Sequence, residues 1–320
     1  TNVSTGEIVD ITGKGVDDIK NHIIRTPNDP DIIYDDDPLR ILRCIRFASR
    51  YGWDIEPETY EGMVRNVSRL EIITKESIHD ELCKMLKCKH PVMAMELLRK
   101  TGAMHYVIPE LEETYSMTQN EYHFGTVWEH TMMVLEGTKD DNMILRISAL
   151  LHDIGKIRVC TEEDGKIHFL KHELKSGEMI DELLRPLKFS NEIIKEVTFL
   201  VRNHMICKTW GSECEYMKDK KLRRFQYECK TEERFRNLMT IIDADNNAYA
   251  ADKCMPKQVE FILSRTEAMK AEGSAMFGYK LPLTGKEIMD LKGIKPGSAV
   301  KECLDYLMKI AFANPLRKKE

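Results

Sequence analysis

The sequence predicts a mainly α-helical protein with a small α/β piece at its amino end. Composition points first: 42% hydrophobic and 32% charged residues is the balance of a soluble, helix-rich chain. Periodicity points second, since most apolar residues recur every three or four positions in stretches with recognisable caps. Third, the one strand reading, Glu7-Ile8-Val9-Asp10, is short and close to the start. A length of 320 residues leaves room for two or three domains.

The bulk numbers also exclude. A net charge of −5 rules out an overall basic field, so any RNA contact has to come from local patches. Nine cysteines without a CxxC pair argue for reduced thiols and a cytoplasmic location. No apolar run approaches about 18 residues, and no signal peptide opens the chain, so no membrane partner is expected.

In chain order, Gly13-Lys14-Gly15 reads as a turn, because the spacing and Lys-Ser/Thr ending of a phosphate loop are missing. A helix is expected over Val16 to Arg25, with Ile19, Ile23 and Ile24 on one side, and a linker over Pro27 to Pro30. Asp37 is a good N-cap for the next helix, with Pro38 at its first position. Along it Arg40, Arg43, Arg46 and Arg50 fall within about 120° of one face, opposite Ile41, Leu42, Cys44, Ile45 and Ala48. Either Asp35, Asp36, Glu56 and Glu58 neutralise this row, or it holds a triphosphate or an RNA backbone. Glu58 to Leu86 and Pro91 to Arg99 continue as amphipathic helices, with Glu81 and Lys84 expected on the solvent side. Ser116 to Asn120 marks a boundary.

The apolar helix Met143 to Leu151 then runs into His152-Asp153-Ile154-Gly155-Lys156, with Gly155 expected as a left-handed stop. Adjacent imidazole and carboxylate at a helix end cost desolvation unless compensated. Either His152 caps the helix and Asp153 meets Lys156, or a metal ion compensates both, and the donor mix suits Mn, Fe, Co, Ni or Zn better than Mg. Lys156 is open between a phosphate contact and a plain helix-end cation. Arg202, Lys208 and the stretch Lys218 to Phe225 form a locally basic region, either bordering RNA or a solvated face. A helix from Pro256 to Glu272 precedes a tail in which Gly297 and Ser298 start a last helix and Val300, Leu304, Leu307 and Met308 pack.

Asp36-Asp37-Pro38-Leu39-Arg40, followed by Arg-Cys-Ile-Arg-Phe-Ala, resembles the Glu-Asp-x-x-Arg element of bacterial-type CCA-adding tRNA nucleotidyltransferases. The resemblance implies that Asp37 and Arg40 read the Watson–Crick edge of CTP or ATP, with Arg43 and Arg46 also at the nucleotide and Asp36 where Glu is usual. Val9, Asp10, Gly15, Asp18, Ile19, Ile23, Ile24 and Arg25 resemble the end of that family's head, and Met104 to Leu111 the close of its neck and body. Tyr122 to Leu135 resembles the first helix of an HD phosphohydrolase domain. That likeness assigns His130, His152, Asp153 and Asp245 (or Asp243) as metal ligands, and His172 and His204 as second-metal ligands. His105, His123 and His168 stay structural.

The implied organisation is a head remnant at 1–34, a nucleotide-selecting and RNA-binding neck and body at 35–118, an HD helical bundle at 119–255 and a helical tail at 256–320, elongated as a whole. The implied activity is addition of C, C and A to tRNA 3′ ends from CTP and ATP with Mg. The head's Gly-Ser motif and paired aspartates are expected upstream of Thr1, so transfer by this stretch alone is not expected. Two further readings stay open: a stand-alone HD phosphohydrolase acting through Asp153 and Lys156 on a 2′-phosphate or 2′,3′-cyclic phosphate, and a non-catalytic tRNA-binding body. A homodimer is a further possibility.

Overall fold

The computed structural model describes residues 4–6, 9–119, 125–138, 142–249 and 254–315. It divides into two compact units, residues 1–202 with 248–250, and residues 203–247 with 251–320. Helices dominate both, as the sequence predicts, and among the described residues the strands form two small two-stranded sheets.

The first unit opens differently from expectation. Glu7 and Ile8 lie outside the described residues, and Val9 and Asp10 form no strand. Instead the Asp10 carboxylate accepts N–H bonds from Thr12, Gly13 and Val16, tying the turn that starts α1 (Gly15–Asn21). This helix stops short of Arg25 because His22 turns left-handed at φ 58°. The β-branched pair after it becomes β1 (Ile23–Ile24), parallel to β2 (Asp54–Ile55) with Ile23 opposite Asp54. The expected linker is in part a helix, α2 (Pro30–Asp36), for Asp29 caps the Asp31 N–H at 2.9 Å and Pro30 suits the first turn.

Asp37 does cap the next helix, α3 (Leu39–Tyr51), through the Leu39 N–H at 3.2 Å. Its Ile41, Leu42, Cys44, Ile45 and Ala48 are buried as the periodicity requires. Gly52, at φ 68°, ends it. The expected 58–86 helix is broken in two: α4 (Pro57–Asn66), a 3₁₀ stretch (Val67–Ile72) and α5 (Lys75–Leu86). Then come α6 (Pro91–Thr101), α7 (Met104–Val107) and a 3₁₀ turn at Pro109–Thr114. A Thr126/Glu129 capping box starts α8 (Val127–Gly137), and Asn142 caps α9 (Met143–Leu151). The unit finishes with α10 (Lys156–Val159), a hairpin of β3 (Thr161–Glu163) and β4 (Lys166–His168), α11 (His172–Leu184) and α12 (Asn191–Asn203).

The second unit holds α13 (Asp219–Cys229), α14 (Glu232–Asn247), α15 (Pro256–Ala271), α16 (Gly285–Lys292) and α17 (Ser298–Ala313). Phe225, Phe235, Leu238, Ile241, Ile262 and Met269 are buried in its core. The basic stretch at 218–225 is not simply a solvated or RNA-facing surface. Arg223 is buried and donates to the Phe312 carbonyl at 3.1 Å, satisfying the end of α17.

Candidate metal centre and arginine helix

The first unit gathers His130 from α8, His152 and Asp153 from the end of α9, and His172 from the start of α11. All four are buried. Gly155 makes the gathering possible, though not as a left-handed stop: its φ is −65°. A Cβ there would lie 2.4 Å from the Ser176 N and 2.6 Å from the His172 carbonyl, and the Gly155 N–H donates to Ser176 Oγ at 2.8 Å. Only glycine lets the first turn of α11 approach the His-Asp turn this closely.

Each imidazole is oriented the same way. Nδ1 of His130 faces the Ala248 carbonyl at 3.1 Å, that of His152 the Ala149 carbonyl at 2.8 Å, and that of His172 the Phe169 carbonyl at 2.9 Å. A carbonyl only accepts, so each Nδ1 carries the proton and each Nε2 lone pair points inward. His152 Nε2 is 3.3 Å from His130 Nε2 and 3.3 Å from Asp153 Oδ2. His130 Nε2 is 3.6 Å from the same oxygen, and His172 Nε2 is 3.2 Å from Asp153 Oδ1.

Lone pairs aimed at one another and at a carboxylate need a cation among them, a proton or a metal ion. Burial opposes ionisation of Asp153. Even so, the neighbouring His152, the Lys156 ammonium and the hydrogen bonds from His152 and His172 hold its carboxyl well below the ordinary carboxylate range. His130, His152 and Asp153 each bring one ligand atom, all within 4.8 Å of one another. Separations of 3.3 to 3.6 Å match the edge of a coordination polyhedron with metal–ligand bonds of about 2.0–2.1 Å. The nitrogen-and-oxygen donor set fits a transition metal or zinc.

Lys156 meets Asp153, as one of the two readings of the His-Asp pair expects. It is 2% exposed, with Nζ 2.7 Å from Asp153 Oδ2 and 2.6 Å from Gln119 Oε1, and it lies over the Phe169 ring. Its charge is spent inward. The other two assigned ligands belong to the second unit. His204, just past α12, is buried. Asp245, near the end of α14, is buried against Lys208 Nζ at 2.9 Å, which takes Lys208 out of the basic surface. Asp243, its alternative, is half-buried and accepts from Asn247 Nδ2 at 3.2 Å.

The arginine row splits. Arg40 and Arg43 are exposed enough to meet a ligand, and their partners are local: Asp36 at 3.5 Å and Asp37 at 3.4 Å for Arg40, Asp37 at 3.4 Å for Arg43. Asp35 and Glu56 do not neutralise the row, being paired with Arg69 and Arg25. Arg46 leaves the row, because its Nε is 2.5 Å from Glu81, which is buried rather than on the solvent side. Glu81 was readable: Ile78, Leu82 and Met85 form the core stripe of α5, and position 81 falls inside it. Gln119 and the Ala248 carbonyl gave no local signal, since each acts across a long sequence separation.

Residues 52–114 match a family model described as the probable RNA and SrmB-binding site of polymerase A, and residues 120–246 match the HD domain. The A-adding tRNA nucleotidyltransferase of Deinococcus radiodurans is 28% identical over 94% of this chain and 69% of its own length. The multifunctional CCA protein of Neisseria gonorrhoeae is 30% identical over 63% of this chain, which spans 49% of that relative. Among solved structures, the Bacillus stearothermophilus CCA-adding enzyme in complex with CTP shares the fold with a TM-score of 0.56 at 20% identity, covering 96% of this chain and 65% of that one. The neck-type helices, the HD domain and these relatives make the chain similar to bacterial-type CCA-adding tRNA nucleotidyltransferases.

Proposed function

We propose that this chain serves tRNA 3′-end maturation and repair, adding C, C and A, or part of that sequence, from CTP and ATP. In this reading 1–34 closes the catalytic head, 35–118 selects the nucleotide and holds RNA, 119–255 is the HD segment and 256–320 the tail. The partly exposed trio Asp37, Arg40 and Arg43 carries it. A carboxylate accepts from the amino group of cytosine or adenine, and a guanidinium donates to ring nitrogens or O2. Asp36, at the rim of the trio, adds negative charge beside Arg40. Arg46, committed to Glu81, fixes α3 on α5 and so sets where Arg40 and Arg43 stand. Mg belongs to nucleotidyl transfer at head carboxylates. The test is calorimetric binding of CTP and ATP: Arg40→Ala and Asp37→Ala are expected to weaken both, and unchanged binding in both variants sinks the reading.

A second activity at the HD segment is supported by the inward-facing imidazoles. His130, His152 and Asp153 would hold a Mn, Ni, Co, Fe or Zn ion, with His172 on the other Asp153 oxygen. Bound there, the ion supplies Lewis acidity toward a phosphoryl oxygen of a 2′-phosphate or 2′,3′-cyclic phosphate. Asp153 contributes charge and Lys156 fixes its carboxylate. Hydrolysis of 2′,3′-cyclic AMP stimulated by manganese or nickel and lost in Asp153→Ala tests it. The nine cysteines are free thiols, which favours a cytoplasmic setting. Exposed Leu291 and Tyr306 favour self-association as a homodimer, measurable by light scattering.

A further inference from the structure

The exposed face of α3 carries rings as well as arginines. At about 100° per residue, Arg40, Arg43, Phe47, Arg50 and Tyr51 share an arc of about 100°. Phe47 is 37% and Tyr51 49% exposed, although the opposite face of the helix is fully packed. The rings of Phe47 and Tyr51 are parallel to within 2°, with centroids 6.3 Å apart. The row continues past the helix. Tyr51 lies 5.1 Å from Trp53, and Trp53 stacks on His22 at 5.1 Å. Guanidinium groups flank it, Arg46 at 4.1 Å over Phe47 and Arg50 at 5.6 Å over Tyr51. Arg50 is exposed and, among the described residues, engages no carboxylate.

An apolar helix docking here would want aliphatic side chains and acids opposite the arginines. Flat π-faces flanked by guanidinium groups, Arg50 among them with no carboxylate partner among the described residues, fit a polyanion whose repeating unit carries a flat ring. Bases stack on aromatic side chains with little regard to sequence, and phosphates meet the guanidinium groups. A duplex hides its base faces, which leaves a single strand. We propose that Phe47, Tyr51, Trp53 and His22, with Arg43 and Arg50, form a stacking platform for single-stranded RNA. It is distinct from the base-reading trio at the start of α3, and all but Trp53 lies ahead of the 52–114 match. The proposal rests on the reading above only in taking the strand to be a tRNA 3′ end.

The test uses the full chain and a fluorescein-labelled single-stranded oligoribonucleotide of about eight residues, within the span one such surface covers. A hairpin of the same composition and inorganic polyphosphate are the controls. The single strand is expected to bind at least about tenfold tighter than the hairpin. Phe47→Ser and Tyr51→Ser should each weaken it about tenfold, while Tyr51→Phe, which keeps the ring, stays within about twofold. Should a serine variant fail to fold, Arg50→Glu carries the test with the same expected loss. Wild-type affinity in these variants, or displacement by polyphosphate as readily as by RNA, overturns the platform. Undiminished tRNA binding in the same variants overturns the platform and leaves the tRNA reading standing. Oligonucleotide binding that the variants lose, with no competition from tRNA, supports the platform and overturns the tRNA reading.

Discussion

Lys156 Nζ lies 2.7 Å from Asp153 Oδ2, and both side chains are 2% exposed. The oxygen is the one that also faces His130 and His152. The lysine is therefore an internal counter-charge for a carboxylate buried among imidazoles. Removing one member of a buried ion pair leaves an uncompensated charge and costs about 3–5 kcal/mol. Lys156→Met is expected to lower the melting temperature sharply in EDTA. A divalent ion at Asp153 replaces the lost charge and no longer meets a neighbouring ammonium, so manganese should restore more stability to the variant than it adds to the wild type. Scanning calorimetry with EDTA and with manganese reads both numbers, and an equal manganese shift in the two proteins contradicts the counter-charge role.

Gly155→Ala probes the approach of α11. The backbone there is right-handed, so an alanine is not strained by φ, and any loss is steric. With Ser176 N at 2.4 Å and the His172 carbonyl at 2.6 Å from the new Cβ, the first turn of α11 has to retreat. Forcing a methyl into such a contact costs about 1–3 kcal/mol. Urea unfolding should show that loss, and manganese affinity should fall with it because His172 moves away from Asp153.

The same residue marks the limit of what the sequence tells. The helical class, the core face of α3 and the apolar run of α9 are periodicity signals, and periodicity is local. That His130, His152, Asp153 and His172 gather was legible because they sit in motifs in a recognisable order. What escaped is whatever depends on a neighbour distant in sequence. Gly155 looks like a helix stop until α11 is in place, and Gln119 looks like a boundary residue until Lys156 reaches it. Pro30 reads as linker because the Asp29 cap that starts α2 competes with a proline-rich surround. Arg46 shows the same limit from the other side: its stripe is legible, but its partner sits 35 residues away.

Glu96 joins α6 to α8 by accepting from Arg99 and from the Trp128 indole N–H. Burial pushes its carboxyl up, but the hydrogen bonds from Arg99 and Trp128 outweigh it and hold Glu96 below the ordinary 4.5. A carboxyl with a lowered value in the fold contributes stability that is present above about 4.5 and drains away as pH falls through the folded value. Glu96→Gln keeps an acceptor but loses the charge. Its stability should therefore lie below wild type at pH 7, and the two should converge as pH falls through the lowered folded value of Glu96. Denaturant midpoints from pH 7 to pH 3 measure this, and parallel curves remove Glu96 from the acid response.

The arginines of α3 separate by what their removal costs. Arg46 and Glu81 are both largely buried, with side chains 13% and 4% exposed, so Arg46→Ala leaves the buried carboxylate with Lys84 alone, at 3.3 Å, and should cost up to about 3 kcal/mol. Arg40 is 40% exposed and its acid contacts are 3.4 and 3.5 Å long, which makes them surface pairs worth at most about 1 kcal/mol. Arg40→Ala should therefore melt close to wild type while losing CTP and ATP binding. Glu81→Gln, which removes the buried charge, should soften the Arg46→Ala defect when the two are combined, without touching Arg40. Melting temperature and nucleotide affinity measured on these variants put the two arginines on different axes. If Arg40→Ala loses stability as Arg46→Ala does, the exposed end of α3 is a structural lattice and the nucleotide seat has to be sought elsewhere.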